Sequence, residues 1–90
     1  MKVRKHYIFN GRVQGVGFRY TMSRYASHLG LTGWVKNLSN GNVEAYVQGD
    51  QSKIIELLHY LNSDQYIIIR HMEVNTCEIV DNESGFSVRY

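Results

Sequence analysis

Two stretches of this chain repeat apolar residues at helical spacing, and both are framed by runs of β-formers. That alternation limits the possible folds more than any other feature. Phe18, Met22, Tyr25, Ala26 and Leu29 recur at i, i+4, i+7, i+8 and i+11, which is one helical face. Gly30 stands where a left-handed cap is wanted, His28 falls in the last turn, and Leu31 closes over the end. Ile54, Leu57, Leu58 and Leu61 form a second stripe, with Asp50 as its N-cap and Asn62, Ser63 and Asp64 as its stop.

The segments between these helices read as strands and turns. Val3 to Phe9 alternates, with Val3, Lys5, Tyr7 and Phe9 on one parity and Arg4, His6 and Ile8 on the other. Gly11 to Gly17 is a glycine-punctuated connection. Gly33–Leu38 and Val43–Gln48 read as a second and a third strand, joined into a hairpin by the Asn40-Gly41 turn signal. Val43, Ala45 and Val47 share one face of the third strand; Glu44, Tyr46 and Gln48 take the other. Tyr66–Ile69 suits either an extended linker or a short strand. Val74–Val80 reads as a fourth strand, residues 81–84 as a turn, and Gly85–Tyr90 as a closing strand. The order β-α-β-β-α-β plus a short extra C-terminal strand predicts an α+β, ferredoxin-like sandwich. In it, two helices cover one face of a mostly antiparallel sheet. Fold alone leaves function open.

Ninety residues make one domain, spanning 1–90. The chain is 43% hydrophobic and 12% aromatic, which argues against disorder. A formal charge of +2 with scattered basic residues favours neither nucleic acid nor a membrane surface, but it suits a small anionic substrate. The start of the chain reads as an alternating strand and not as a secretory signal, and the apolar run at Ile67–Ile69 is too short to span a bilayer. Cys77 is the only cysteine, so no internal disulfide forms, and cytoplasmic residence is the expectation. His6, His28, His59 and His71 show neither metal-ligand spacing nor a visible carboxylate partner, so no metal or cofactor is expected.

The connection from Gly11 to Arg19 carries the chemistry. A helix start leaves its first N–H groups without intrahelical partners and bears partial positive charge. Gly15 and Gly17 let the backbone fold close to an anion and aim successive N–H groups at it, a ready phosphate cradle. Arg19 lies just inside the first turn, where its planar guanidinium can meet two phosphoryl oxygens at once. Nucleotide motifs fail here: the dinucleotide pattern needs a glycine where Tyr20 stands, and the Walker pattern needs a Lys-Ser/Thr pair. The cradle therefore suits something smaller.

Gly11 through Arg19, written Gly-x-Val-Gln-Gly-Val-x-Phe-Arg, resembles the signature of the acylphosphatases. A second signature of that family matches Gly33-Trp34-Val35-Lys36-Asn37 and then Gly41-Asn42-Val43-Glu44, and the ending Phe86–Tyr90 is similar as well. The likeness runs over essentially the whole chain and departs between the second helix and fourth strand, where a Gly/Pro-containing connection is common in the family. It implies a free-standing, metal-free hydrolase that cleaves acyl phosphates to a carboxylate and inorganic phosphate. Carried over by position, the phosphate-binding set is Gln14, Gly15, Val16, Gly17, Phe18 and Arg19. The catalytic pair is Arg19 and Asn37, with Asn37 holding the attacking water. Inorganic phosphate or sulfate would compete, and a monomer is expected.

The chemistry is plausible with so few groups. The leaving carboxylate has a conjugate acid of pKa roughly 4, so it departs without a proton. The transferring phosphoryl group is loose, so water needs placement more than deprotonation.

Other polar residues have plainer expectations. Asp64, Asp81 and Glu83 read as solvated turn charges, Cys77 as a small buried strand residue, and Trp34 and Tyr46 as packing or surface aromatics. A nucleic-acid module is disfavoured because the third strand lacks the required aromatic run and carries Glu44. An anion-binding regulator, or the N-terminal domain of a hydrogenase-maturation protein, are the remaining rivals.

Overall fold

Alternation in the first strand decides which way the sheet faces. In the computed structural model, which describes all ninety residues, β1 (Lys2–Arg12) buries Tyr7 and Phe9 on one side and turns His6 and Ile8 to the other. The same parity holds in β3 (Val43–Asp50), whose Val43, Ala45 and Val47 are fully buried. Two helices, α1 (Phe18–His28) and α2 (Gln51–Ser63), cover that apolar side. They contribute Phe18, Met22 and Ala26, and Ile54, Leu57 and Leu61. Each of the large side chains among these stabilises the fold by roughly 1.5–3 kcal/mol through burial.

With β2 (Thr32–Asn37), β4 (Ile68–Cys77) and β5 (Phe86–Arg89), the sheet has the order β4-β1-β3-β2-β5. All pairings are antiparallel except β2 with β5. This is the ferredoxin-like βαββαβ sandwich with an added C-terminal strand. Asp50 caps α2 as expected, its Oδ1 accepting from the Ser52 N–H at 3.0 Å.

Several local expectations need correction. β1 runs on to Arg12 because a bulge between Asn10 and Gly11 lets it stay paired with β4. That pairing makes Ile68 and Ile69 strand residues and ends β4 at Cys77, so Val74–Val80 is not one strand. Val80 leaves the sheet because Gln48 captures its backbone. The Val80 N–H donates to Gln48 Oε1 at 2.8 Å, and Gln48 Nε2 donates to the Val80 carbonyl at 2.9 Å.

The crossover from β4 to β5 therefore passes over the uncovered side of the sheet and buries Gln48 there, at 1% exposure. Glu83, expected as a solvated charge, accepts from Arg4 Nη1 and from Thr32 Oγ1, both at 2.8 Å. Asp64 accepts from the N–H groups of Tyr66 and Ile67. Cys77 is half-buried at the end of an edge strand, not a core residue. His6 does have a carboxylate partner, Glu44 on the neighbouring strand at 2.8 Å.

Candidate active site

The β1–α1 loop enters the helix through two residues in left-handed conformation, Gly15 at φ +73° and Gly17 at φ +78°. A Cβ at either would meet no atom within 4 Å, so conformation and not space requires glycine there. Gly17 is the N-cap of α1 and offers no side-chain cap. The first helical bond runs from the Thr21 N–H to the Gly17 carbonyl at 2.9 Å. The N–H groups of Phe18, Arg19 and Tyr20 are thus the donors that a helix start leaves without intrahelical partners. No acid occupies this first turn. Buried Val13 and Phe18 anchor the two ends of the loop in the core.

A cleft of about 240 Å³ opens at this turn, lined by Val13, Gly15, Gly17, Phe18, Arg19, Tyr20, Asn37, Val88 and Tyr90. Arg19 is the only charged side chain in the lining. Its Nη1 donates to the Arg89 carbonyl at 3.2 Å, and its guanidinium carbon lies 4.8 Å from the centre of the Tyr90 ring. Both contacts hold a cation that belongs to the first turn of a helix, where the macrodipole disfavours it.

Asn37 enters from the last position of β2. Its Oδ1 is buried and accepts no hydrogen bond from the protein, the one buried side-chain polar atom in this state. An orphaned buried oxygen costs about 1–3 kcal/mol, so it calls for an explanation. Gln14 holds the two halves of the site together. Its Nε2 donates to the carbonyls of Leu38 at 2.7 Å and Asn42 at 2.8 Å, which ties the loop to the β2–β3 hairpin beside Asn37.

Of the residues singled out from sequence, the cleft brings together Gly15, Gly17, Phe18, Arg19 and Asn37. Gln14 and Val16 stand outside it: the Gln14 amide faces the hairpin, and Val16 packs against the core. Sequence reasoning missed Val13, Tyr20, Val88 and Tyr90. The last two arrive through the parallel pairing of β5 with β2, where Val88 lies opposite Val35. No three His, Cys, Asp or Glu side chains converge to hold a metal ion anywhere in the chain. Chemically, the cleft can accept an anion on backbone N–H groups and one guanidinium, with a carboxamide beside it.

Comparison with known proteins shows the family of the chain. The Acylphosphatase family model matches residues 5–88. A curated acylphosphatase of Clostridium beijerinckii is 39% identical over 89 residues, 98% of this chain and 99% of that protein. The crystal structure of acylphosphatase from Bacillus subtilis superposes with a TM-score of 0.88 at 29% identity, covering 98% of this chain and 99% of that one. An acylphosphatase structure from Coxiella burnetii gives a TM-score of 0.83 at 36% identity, over 98% and 93%.

Proposed function

This chain belongs to the acylphosphatase family, and on that premise we propose how its cleft hydrolyses the carboxyl–phosphate bond of acyl phosphates. The enzyme is a hydrolase acting on acid anhydrides. The phosphoryl group sits in the loop, on backbone N–H groups between Gly15 and Arg19, with the Arg19 guanidinium against two of its oxygens. Gln14 serves by fixing the loop to the hairpin. Asn37 holds the attacking water in line with the leaving carboxylate, the carboxamide accepting one of its hydrogen bonds.

As water oxygen bonds to phosphorus, the bond from phosphorus to the acyl oxygen breaks and its electron pair leaves with the carboxylate. The water proton passes to a phosphoryl oxygen, and no protein base is required. Rate enhancement then comes from positioning and from charge stabilisation in a fixed site. Val13, Phe18 and Val88 keep one side of the cleft apolar, which strengthens the pairing of Arg19 with phosphate.

The single observation that carries this reading is the buried, unpartnered Asn37 Oδ1 in the same cleft as Arg19 and the two left-handed glycines. We place the reaction in the cytoplasm and assign it to a monomer. The lone Cys77 and the mild net charge support that setting.

The test is hydrolysis of benzoyl phosphate in the presence of EDTA, with inorganic phosphate or sulfate as competitive inhibitor. Turnover with competitive inhibition is expected. Absence of turnover would overturn the mechanism.

A further inference from the structure

Tyr20 lines two cavities. One is the phosphate cleft; the other is a groove of about 420 Å³ along α1, bounded by Tyr20, Thr21, Arg24, Tyr25, His28 and Tyr60. The groove has an aromatic floor, since the rings of Tyr25 and Tyr60 stack at 3.8 Å and 3° across the two helices. Arg24 donates to the Tyr20 hydroxyl at 3.0 Å and forms no ion pair, so its other N–H donors are open to a ligand. No carboxylate lines the groove. The nearby Glu56 is engaged by the Tyr25 hydroxyl at 3.2 Å and lies 4.0 Å from Lys53 Nζ.

We infer that this groove is the subsite for the acyl part of the substrate, and that it selects acyl groups carrying a carboxylate at the end remote from the phosphoryl group. The inference rests on the proposed placement of the phosphoryl group at Arg19. Arg19 and Arg24 lie on the same helix, about 7.5 Å apart along its axis and about 140° apart around it, with Tyr20 between them in angle and hydrogen-bonded to Arg24. An acyl chain leaving the cleft passes Tyr20, the wall common to both cavities, and meets Arg24 at its far end. The Arg24 guanidinium pairs with a carboxylate through two N–H donors, and an aromatic spacer stacks on the exposed Tyr20 ring. His28, one turn further, supplies a second polar contact.

The test compares 4-carboxybenzoyl phosphate with its neutral analogue, 4-carbamoylbenzoyl phosphate. The wild-type enzyme is expected to favour the carboxylate by about fivefold in kcat/KM, the upper range for a solvent-exposed ion pair. In Arg24→Gln that preference falls to about one. The ratio of the two substrates within each protein cancels any general effect of the substitution on folding or turnover.

The corresponding pair of non-hydrolysable acylphosphonates, titrated calorimetrically, reads the groove independently of turnover. The same preference, lost in Arg24→Gln, is expected. A wild-type ratio near one in both measurements, or a preference that survives Arg24→Gln, overturns the subsite. Failure to hydrolyse either substrate while the phosphonate preference persists points instead to an error in the catalytic reading.

Discussion

The guanidinium carbon of Arg19 lies 4.8 Å from the centre of the Tyr90 ring, so Tyr90 holds an arginine in the first turn of helix α1. Arg19 also donates to the carbonyl of Arg89, and these are contacts between residues about seventy positions apart. The ring is worth about 0.5–1 kcal/mol at an exposed site. Tyr90→Ala is therefore expected to lower kcat/KM by about two- to fivefold, and Tyr90→Phe to leave it unchanged. Steady-state kinetics on benzoyl phosphate checks both.

Arg19→Ala removes the only charged side chain in the cleft. It is expected to abolish phosphate affinity and turnover together, because no other cation lines the site to replace it. The measurement is the inhibition constant for inorganic phosphate alongside kcat/KM. Tight phosphate inhibition in the variant would move the anion site elsewhere.

Asn37→Ala separates the two functions. Phosphate inhibition should stay near its wild-type value while kcat falls by roughly the 10²–10⁴ of a lost positioning or proton-transfer group. Stability should not fall much, since the buried Oδ1 has no protein partner to lose. Normal turnover in this variant would remove Asn37 from the mechanism.

Glu83 and Arg4 form an ion pair at 2.8 Å with side chains 18% and 7% exposed. Glu83→Ala leaves the Arg4 charge without its partner beneath the β4–β5 crossover. The expected loss is about 3 kcal/mol, read from urea denaturation. Replacing both, as Arg4→Met with Glu83→Leu, should recover most of it, because neither charge then remains desolvated.

How legible this was from sequence follows the range of each interaction. The two helices and the hairpin were readable because their periods and turn residues are local: the Phe18, Met22 and Ala26 stripe and the Asp50 cap need no partner to be recognised. The fourth strand was misplaced because distant residues set its limits: the bulge at Asn10 and Gly11 fixes its start, and Gln48 takes the Val80 backbone beyond its end. Glu83 failed as a surface charge for the same reason, since its partners lie on β1 and β2. In the site, the loop and Asn37 were visible as motifs. The ending Phe86–Tyr90 matches the family too, but that Val88 and Tyr90 line the cleft is not legible, because their arrival depends on which strand β5 joins.

Tyr7 makes stability fall at alkaline pH. It is 3% exposed, and burial pushes its hydroxyl from 10.0 up to about 12. Below pH 10 the phenol is protonated in both folded and unfolded chains, so its contribution is fully present. Between pH 10 and about 12 the unfolded chain releases a proton that the folded chain retains, and stability declines by about 1.4 kcal/mol per pH unit. Tyr25 is also shifted upward, by partial burial first and then by Glu56, and adds the same sign. The slope in Tyr7→Phe isolates the Tyr7 share: it should be shallower than wild type by about that amount, measured as urea midpoints across this range. Equal slopes in the two proteins would show that Tyr7 ionises as freely in the folded state as in the unfolded one.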